Sequence, residues 1–314
     1  MTDERAVTGA GDGAGSGNPP SEGPGASVSV ADNPGGVSID RLVAELPPAI
    51  AELGADCRWS VLAVASTGVT VWRLERPEAR PVILKVAPAA GGATEDLRAE
   101  AERLQWLGRV IASADPAAGI TVPEMIVSVS DETTGDHYLA MTEVEGAPAS
   151  QAEVRADADS LISALATGLR RLHDLPVGTA ELRSSIDDRL ALAARRLGAG
   201  LVDPREFEPI HSRYEPETLY EHLLTMRPPG PEDPVVVHGD PSLDNTILAG
   251  DRVSGYVDLG RAGVSDRYLD LAIVSRELAT RVSPHALGPF FAAYGLDAPD
   301  VRKVDFYLLL DEFF

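Results

Sequence analysis

The sequence predicts an α+β protein in which the sheet comes first and the helices follow. Three observations carry that expectation. Residues 58 to 65, 69 to 74 and 81 to 86 are apolar stretches of strand length, parted by turn residues such as Ser66-Thr67-Gly68. Beyond Ala147 the period changes, and Leu161, Ile162, Leu165, Leu169 and Leu172 fall on one helical face. Between Val235 and Leu271 lies a stretch where short strands and tight turns carry two acids and an amide, and the rest of the chain makes sense around it.

Residues 1 to 36 are rich in Gly, Ala, Ser and Pro and lack apolar periodicity, so burial cannot offset their ordering entropy and a disordered tail is expected. Ile39, Leu42, Val43 and Leu46 have helical spacing, which Pro47-Pro48 interrupts. In the turn between the first two strands, backbone N–H groups suit phosphate oxygens and Gly68 permits close approach. The third strand holds Lys85 among apolar neighbours, an unusual place for an unpaired cation. Its partner is expected on the next helix, residues 94 to 109, where Glu95 and Asp96 occupy the first turn. Leu97, Leu104 and Leu107 form the inward stripe; Glu100 falls among them, whereas Glu102 points elsewhere.

Residues 111 to 119 read as a loose surface loop, Val122-Pro123 opens a strand, and residues 137 to 141 form another. The long helix after Ala147 stops at His173-Asp-Leu-Pro176, with His173 as a structural residue suited to a helix C-terminus. Asp187 begins another helix, residues 203 to 208 form an acidic loop, and residues 269 to 280 form a helix carrying Arg276. The final helical run includes Phe306, Leu309 and Leu310 and leads into Asp311-Glu312-Phe313-Phe314, an apolar end expected to be docked.

In the central stretch, the buried strand Val235 to Val237 ends in His238-Gly239-Asp240, and Asn245 follows five residues after the acid. Residues 246 to 248 and 253 to 257 flank Ala249-Gly250-Asp251, a hairpin signal, and the second strand delivers Asp258-Leu259-Gly260. Alone, Asp and Asn here would make ordinary turn hydrogen bonds. Together they are the set that phosphoryl transfer needs: one Asp to accept the proton of an attacking hydroxyl, and an Asn and a second Asp to hold Mg²⁺ on nucleotide phosphates. Amide and carboxylate oxygens suit that hard cation.

The run Asp258-Leu-Gly-Arg261-Ala-Gly-Val-Ser-Asp266-Arg-Tyr-Leu-Asp270-Leu-Ala resembles the aminoglycoside 3'-phosphotransferases, small-molecule relatives of the protein kinases. The resemblance covers about residue 55 to 314. It implies a two-lobed protein-kinase-like fold: a small antiparallel β-sheet lobe with one helix over residues 37 to 141, a hinge at 142 to 146, and a larger, mainly helical lobe from 147 to 314. It implies Asp240 as the catalytic residue, Asn245 and Asp258 as Mg²⁺ ligands, and Lys85 with Glu100 as the phosphate clamp. The family carries its paired Glu six residues before Trp-Leu, as Glu100 stands before Trp106, which favours Glu100 over Glu102. Ser66, Thr67 and Gly68 correspond to the phosphate-covering loop, although the Gly-x-Gly-x-x-Gly of protein kinases is missing. Backbone groups of Thr142 and Val144 would meet the adenine edge of ATP. Arg261, Arg276, Glu206, Glu208, Asp311, Glu312 and Phe314, with its carboxylate, would line the pocket for the aminoglycoside, whose 3'-hydroxyl is phosphorylated. The rival expectations are a kinase of another small molecule, such as a sugar or an amino alcohol, and a regulatory pseudokinase, which would have lost Lys85, Asp240 or Asp258.

Composition narrows the partners. With 27 basic and 49 acidic residues the formal charge is −22, which repels nucleic acid and anionic membrane surfaces and favours cationic ligands. No apolar run approaches the ~20 residues of a membrane span, and the start of the chain has no apolar secretory segment. The single cysteine, Cys57, excludes an intrachain disulfide and suits a cytoplasmic protein. No protein partner is evident.

Overall fold

The structure, a computed structural model, describes residues 30–31, 46–65, 67–115, 119–151, 157–178 and 181–314. The remainder of the tail, the helix expected before Pro47 and Ser66 of the first turn lie outside the described residues. Within the tail expected to be structureless, β1 (Val30–Ala31) lies parallel to the first long strand, pairing Val30 with Trp59 and Ala31 with Ser60.

Pro47-Pro48 stands at the start of a helix that the sequence reading did not include. Pro48 occupies the first turn of α1 (Pro48–Gly54), where its missing N–H would be unpaired anyway. Among the described residues the small lobe therefore carries this helix in addition to the expected one. Next come β2 (Arg58–Val64), β3 (Thr70–Glu75) and β4 (Val82–Ala87). Then follow the 20-residue helix α2 (Thr94–Ser113), which runs past the expected end at Arg109, β5 (Met125–Ser130) and β6 (His137–Thr142). The strand order is β1-β2-β3-β4-β6-β5, antiparallel apart from the β1–β2 pair. Alternation along β4 divides its side chains. Leu84 and Val86 join Trp59, Trp72 and Ile50 in the core under α1. Lys85 pairs with Val71 and Leu139 in register and turns to the opposite face, toward α2.

α2 takes in residues 111 to 113 of the expected loop, and residues 116 to 118 lie outside the described residues. Thr121 donates its N–H to Ser254 O at 3.0 Å and accepts from Tyr256 N at 3.1 Å, joining the small lobe to a strand of the larger one.

The larger lobe contains β7 (Ala147–Pro148), α3 (Ala158–His173), α4 (Ile186–Gly198) and α5 (Pro216–Thr225). It continues with β8 (Pro234–Val237), β9 (Thr246–Ala249), β10 (Arg252–Tyr256) and β11 (Gly263–Asp266), then α6 (Tyr268–Arg281), α7 (Leu287–Tyr294) and α8 (Val301–Asp311). The expected hairpin is β9–β10, turning at Gly250 with φ 66°. β7 pairs with β9, and β8 pairs with β11. One buried core runs from Leu97 and Leu107 on α2 through α3 and α6 to Phe313. Among the described residues no helix is long and apolar enough to cross a membrane.

Candidate active site

The site grows from the end of β8. His238 N–H and Gly239 N–H both donate to the Asp270 carboxylate, at 2.7 and 2.8 Å. Asp270 is fully buried and also accepts from His173 Nε2 at 3.2 Å, while His173 Nδ1 lies 2.7 Å from the Tyr294 hydroxyl. The loop therefore bends around one carboxylate. The bend requires glycine, because Gly239 has φ 88° and a Cβ there would fall 2.3 Å from Arg261 O. His238 completes the turn. Its Nδ1 accepts the Asp240 N–H at 3.1 Å, so its Nε2 carries the hydrogen and donates to Val257 O at 2.9 Å.

Asp240 is left half-buried at the mouth of a cleft. Asn245 Nδ2 donates to its Oδ2 at 3.2 Å and to its carbonyl at 3.0 Å. The amide is thereby oriented, and its Oδ1 faces away from Asp240. Burial pushes the Asp240 carboxyl above the usual range; Arg261 and His238 oppose that, and Asp311 and Asp258 add to it.

Asp258 follows β10 in a left-handed conformation, φ 62°, which turns its carboxylate back toward the sheet. Its Oδ1 accepts from Lys85 Nζ at 3.0 Å, and Lys85 also donates to both oxygens of Glu100, at 2.7 and 2.8 Å. Burial alone would lower the Lys85 pKa, but the Glu100 and Asp258 carboxylates outweigh it and hold the ammonium above its ordinary value. Asp258 is correspondingly lowered: burial raises it, and Lys85 more than offsets this. α2 holds the loop a second time, through Arg103 Nε to Gly260 O at 2.8 Å.

Asn245 Oδ1 and the second oxygen of Asp258 form a two-residue oxygen donor set. That fits Mg²⁺, which keeps water and substrate phosphate oxygens in its shell. Among the described residues no group of three or more His, Cys, Asp or Glu forms a self-sufficient metal cage.

Around the expected nucleotide position, Gly68 has φ 84° and closes its turn by donating to Ala65 O at 2.9 Å; Thr67 beside it is exposed. The Thr142 N–H is committed to Glu124 O at 2.9 Å, because the strand pairing continues past Met125. Val144 follows with its side chain buried. The hinge then presses against the larger lobe. A Cβ on Gly146, φ 130°, would fall 2.3 Å from Leu248 O, and Ser254 Oγ donates to Glu145 O at 2.7 Å.

On the other side of Asp240 opens a cleft of about 260 Å³. Glu206, Glu208, Arg261, Arg276, Asp311, Glu312 and Phe314 line it together with Arg196 and Asp203. The lining holds six carboxylates against three guanidiniums. Several of the carboxylates are internally engaged: Asp203 by Arg205, Asp240 by Asn245, Glu208 by Arg276 at 3.5 Å, and the pair Asp311 and Glu312 most closely. Asp311 accepts from Arg261 and from Arg276, each at 2.8 Å. Glu312 accepts from His211 Nδ1 at 2.5 Å and from Glu208 N at 3.1 and 3.2 Å, and burial raises its pKa against the pull of His211. The Phe314 ring lies between Arg196 and Arg261, 5.9 and 5.8 Å from their guanidinium carbons. Asp270, Arg103, Arg196 and His211 were not legible as site residues. Only Asp270 had a signal, its place in the run that follows Asp258.

Residues 62–307 match the model of the phosphotransferase enzyme family. The chain is 35% identical over 260 residues to an aminoglycoside 3'-phosphotransferase of Escherichia coli, covering 82% of this chain and 90% of that one. It is 33% identical over 276 residues to another from Niallia circulans, covering 85% and 97%. The crystal structure of an aminoglycoside 3'-phosphotransferase of type VIII superposes with a TM-score of 0.71 at 33% identity, over 88% of this chain and 97% of that one. A match of that extent, on a chain that folds its acid, amide and second acid around one hairpin, establishes that it belongs to the phosphotransferase enzyme family that includes the aminoglycoside 3'-phosphotransferases.

Proposed function

We propose that the protein is an ATP-dependent phosphotransferase acting on a hydroxyl, the 3'-hydroxyl, of aminoglycoside antibiotics, and that it thereby confers resistance. The observation that carries this reading is the position of Asp240. One side of it faces the loop that Lys85 and Glu100 hold, and the other faces a carboxylate-rich cleft.

In this reading the lobes divide at the hinge 142 to 146. Asp240 orients the substrate hydroxyl and takes its proton as the oxygen–phosphorus bond forms and the bond to ADP breaks. Lys85, kept charged by its two carboxylate neighbours, binds the α and β phosphates. Glu100 fixes Lys85 in place, and Arg103 fixes the loop that Asp258 starts. Thr67 and Gly68, with Ser66, cover the phosphates, and the backbone of Val144, rather than the N–H of Thr142, meets the adenine. Asn245 and Asp258 would hold Mg²⁺, which supplies charge neutralisation on the phosphates when bound. Substrate ammonium groups meet Glu206, Glu208 and Glu312, while Arg261 and Arg276 keep Asp311 in place beside Phe314. ATP as a substrate places the reaction in the cytoplasm.

The test is ADP release coupled to a dehydrogenase, with kanamycin, streptomycin, choline and simple sugars as acceptors and the phosphorylated position read by NMR. Kanamycin-dependent turnover with phosphate on the 3'-oxygen is the expected result. Turnover only with choline or a sugar would replace this substrate class with the rival one.

A further inference from the structure

The Glu312 carboxylate is held asymmetrically. Its Oε1 takes a hydrogen bond from His211 Nδ1 at 2.5 Å and a longer one from Glu208 N at 3.2 Å; its Oε2 takes only the Glu208 N–H, at 3.1 Å. A carboxylate oxygen accepts more than one donor, so Oε2 retains capacity on the side of the cleft that Glu312 lines. His211 is well placed to impose this. It sits on a turn closed by its own N–H to Glu208 O at 2.8 Å, and Phe207, only 6% exposed, anchors that turn in the core. The neighbouring Ile210 is 72% exposed, so Phe207 supplies the apolar anchor of this turn and Glu312 the polar partner of the His211 ring. The other carboxylate at the base of the cleft, Asp311, is neutralised by two arginines. Glu312 is therefore the inner carboxylate left for a cation.

We propose that His211 is a specificity-determining positioning residue: it fixes one oxygen of Glu312 and so presents the other to an ammonium group of the substrate. This rests on the aminoglycoside reading of the cleft. His211 does not touch the reacting atoms, and it acts through Glu312 alone. A histidine that only staples the turn to the end of α8 would affect stability and both substrates alike.

The test uses the full chain with kanamycin and MgATP. KM for each substrate, kcat and melting temperature are measured for wild type, His211→Leu, His211→Asn, Glu312→Gln and the His211→Leu/Glu312→Gln double variant. His211→Ala replaces the leucine variant should leucine not be tolerated. Loss of the donor is expected to raise KM for kanamycin about 10-fold, with KM for ATP and kcat within about twofold, since one charge-assisted hydrogen bond is at stake. Asparagine, whose amide donates from nearly the same place, is expected to restore most of that loss. The double variant is expected to be no worse than Glu312→Gln, because the two residues act as one unit. An unchanged kanamycin KM in a folded His211→Leu or His211→Ala variant overturns the proposal, and so do losses that add in the double variant. Wild-type enzyme that neither turns over nor binds kanamycin would instead overturn the substrate reading on which it rests.

Discussion

Asp240 works under opposed electrostatic influences. Burial and the acids at positions 258 and 311 favour its protonated form, and Arg261 and His238 favour the ionised form that accepts a proton. Replacing it with alanine removes the acceptor without touching the Lys85–Glu100 clamp, so kcat should fall by about 10² to 10⁴ while ADP binding, read by calorimetry, stays near wild type. Near-normal turnover would disqualify Asp240 as the base. The same balance gives a pH dependence. In the proposed mechanism only ionised Asp240 is competent, and its pKa lies above the ordinary carboxylate value, so activity should be present above that raised pKa and lost as pH falls through it. Arg261→Gln removes a stabilising cation and releases Asp311 from one of its two partners. Both changes raise the Asp240 pKa further. The acid limb of kcat/KM should therefore move to higher pH in that variant, and a limb that stays put or moves lower would contradict the role given to Arg261.

At the scale of elements, the catalytic loop is held by a helix that follows it in sequence. α6 contributes Asp270, which satisfies two successive backbone donors of the loop and reaches His173 on α3. Asp270→Asn would set an amide against donors it can only partly accept. A buried donor left unsatisfied costs about 1 to 3 kcal/mol, and each kcal/mol lowers Tm by roughly 2 to 4 °C in a chain of this order. The variant should melt several degrees lower and also lose kcat, because Asp240 is aimed by the same bend; a shift in neither quantity would show that the loop is set elsewhere. This contact marks where sequence reasoning stopped. The hairpin β9–β10 and the pair Lys85–Glu100 were legible because each depends on local period or on a helix stripe. His173 and Asp270 are 97 residues apart, and His211 and Glu312 are 101 apart, so no spacing rule joins them. α1 was missed because the Pro pair was considered only as a stop, although the first turn of a helix accepts proline. β11 was missed because Gly263 to Asp266 is buried throughout and shows no alternation.

Over the whole molecule, the excess of acid is large, and its sign matches the cleft. A formal charge of −22 surrounds a pocket with six carboxylates and three guanidiniums. A polycationic aminoglycoside would be drawn to both, whereas anionic ATP would be repelled by the first, and in the proposed mechanism it is captured locally by Lys85, which Glu100 holds. The two substrates should therefore respond to salt in opposite ways. Raising ionic strength from about 0.01 M to about 0.15 M shortens the screening length from ~30 Å to ~8 Å, which removes the long-range field and leaves contacts within the cleft largely intact. Under fixed saturating MgATP, kcat/KM for kanamycin should fall several-fold across that range, through KM rather than kcat. With saturating kanamycin, kcat/KM for MgATP should stay level or rise. If the aminoglycoside term is flat, binding rests on short contacts alone and the acidic surface serves solubility. If both terms fall together, salt is acting on the fold or on the metal, and a melting curve at each ionic strength distinguishes that outcome.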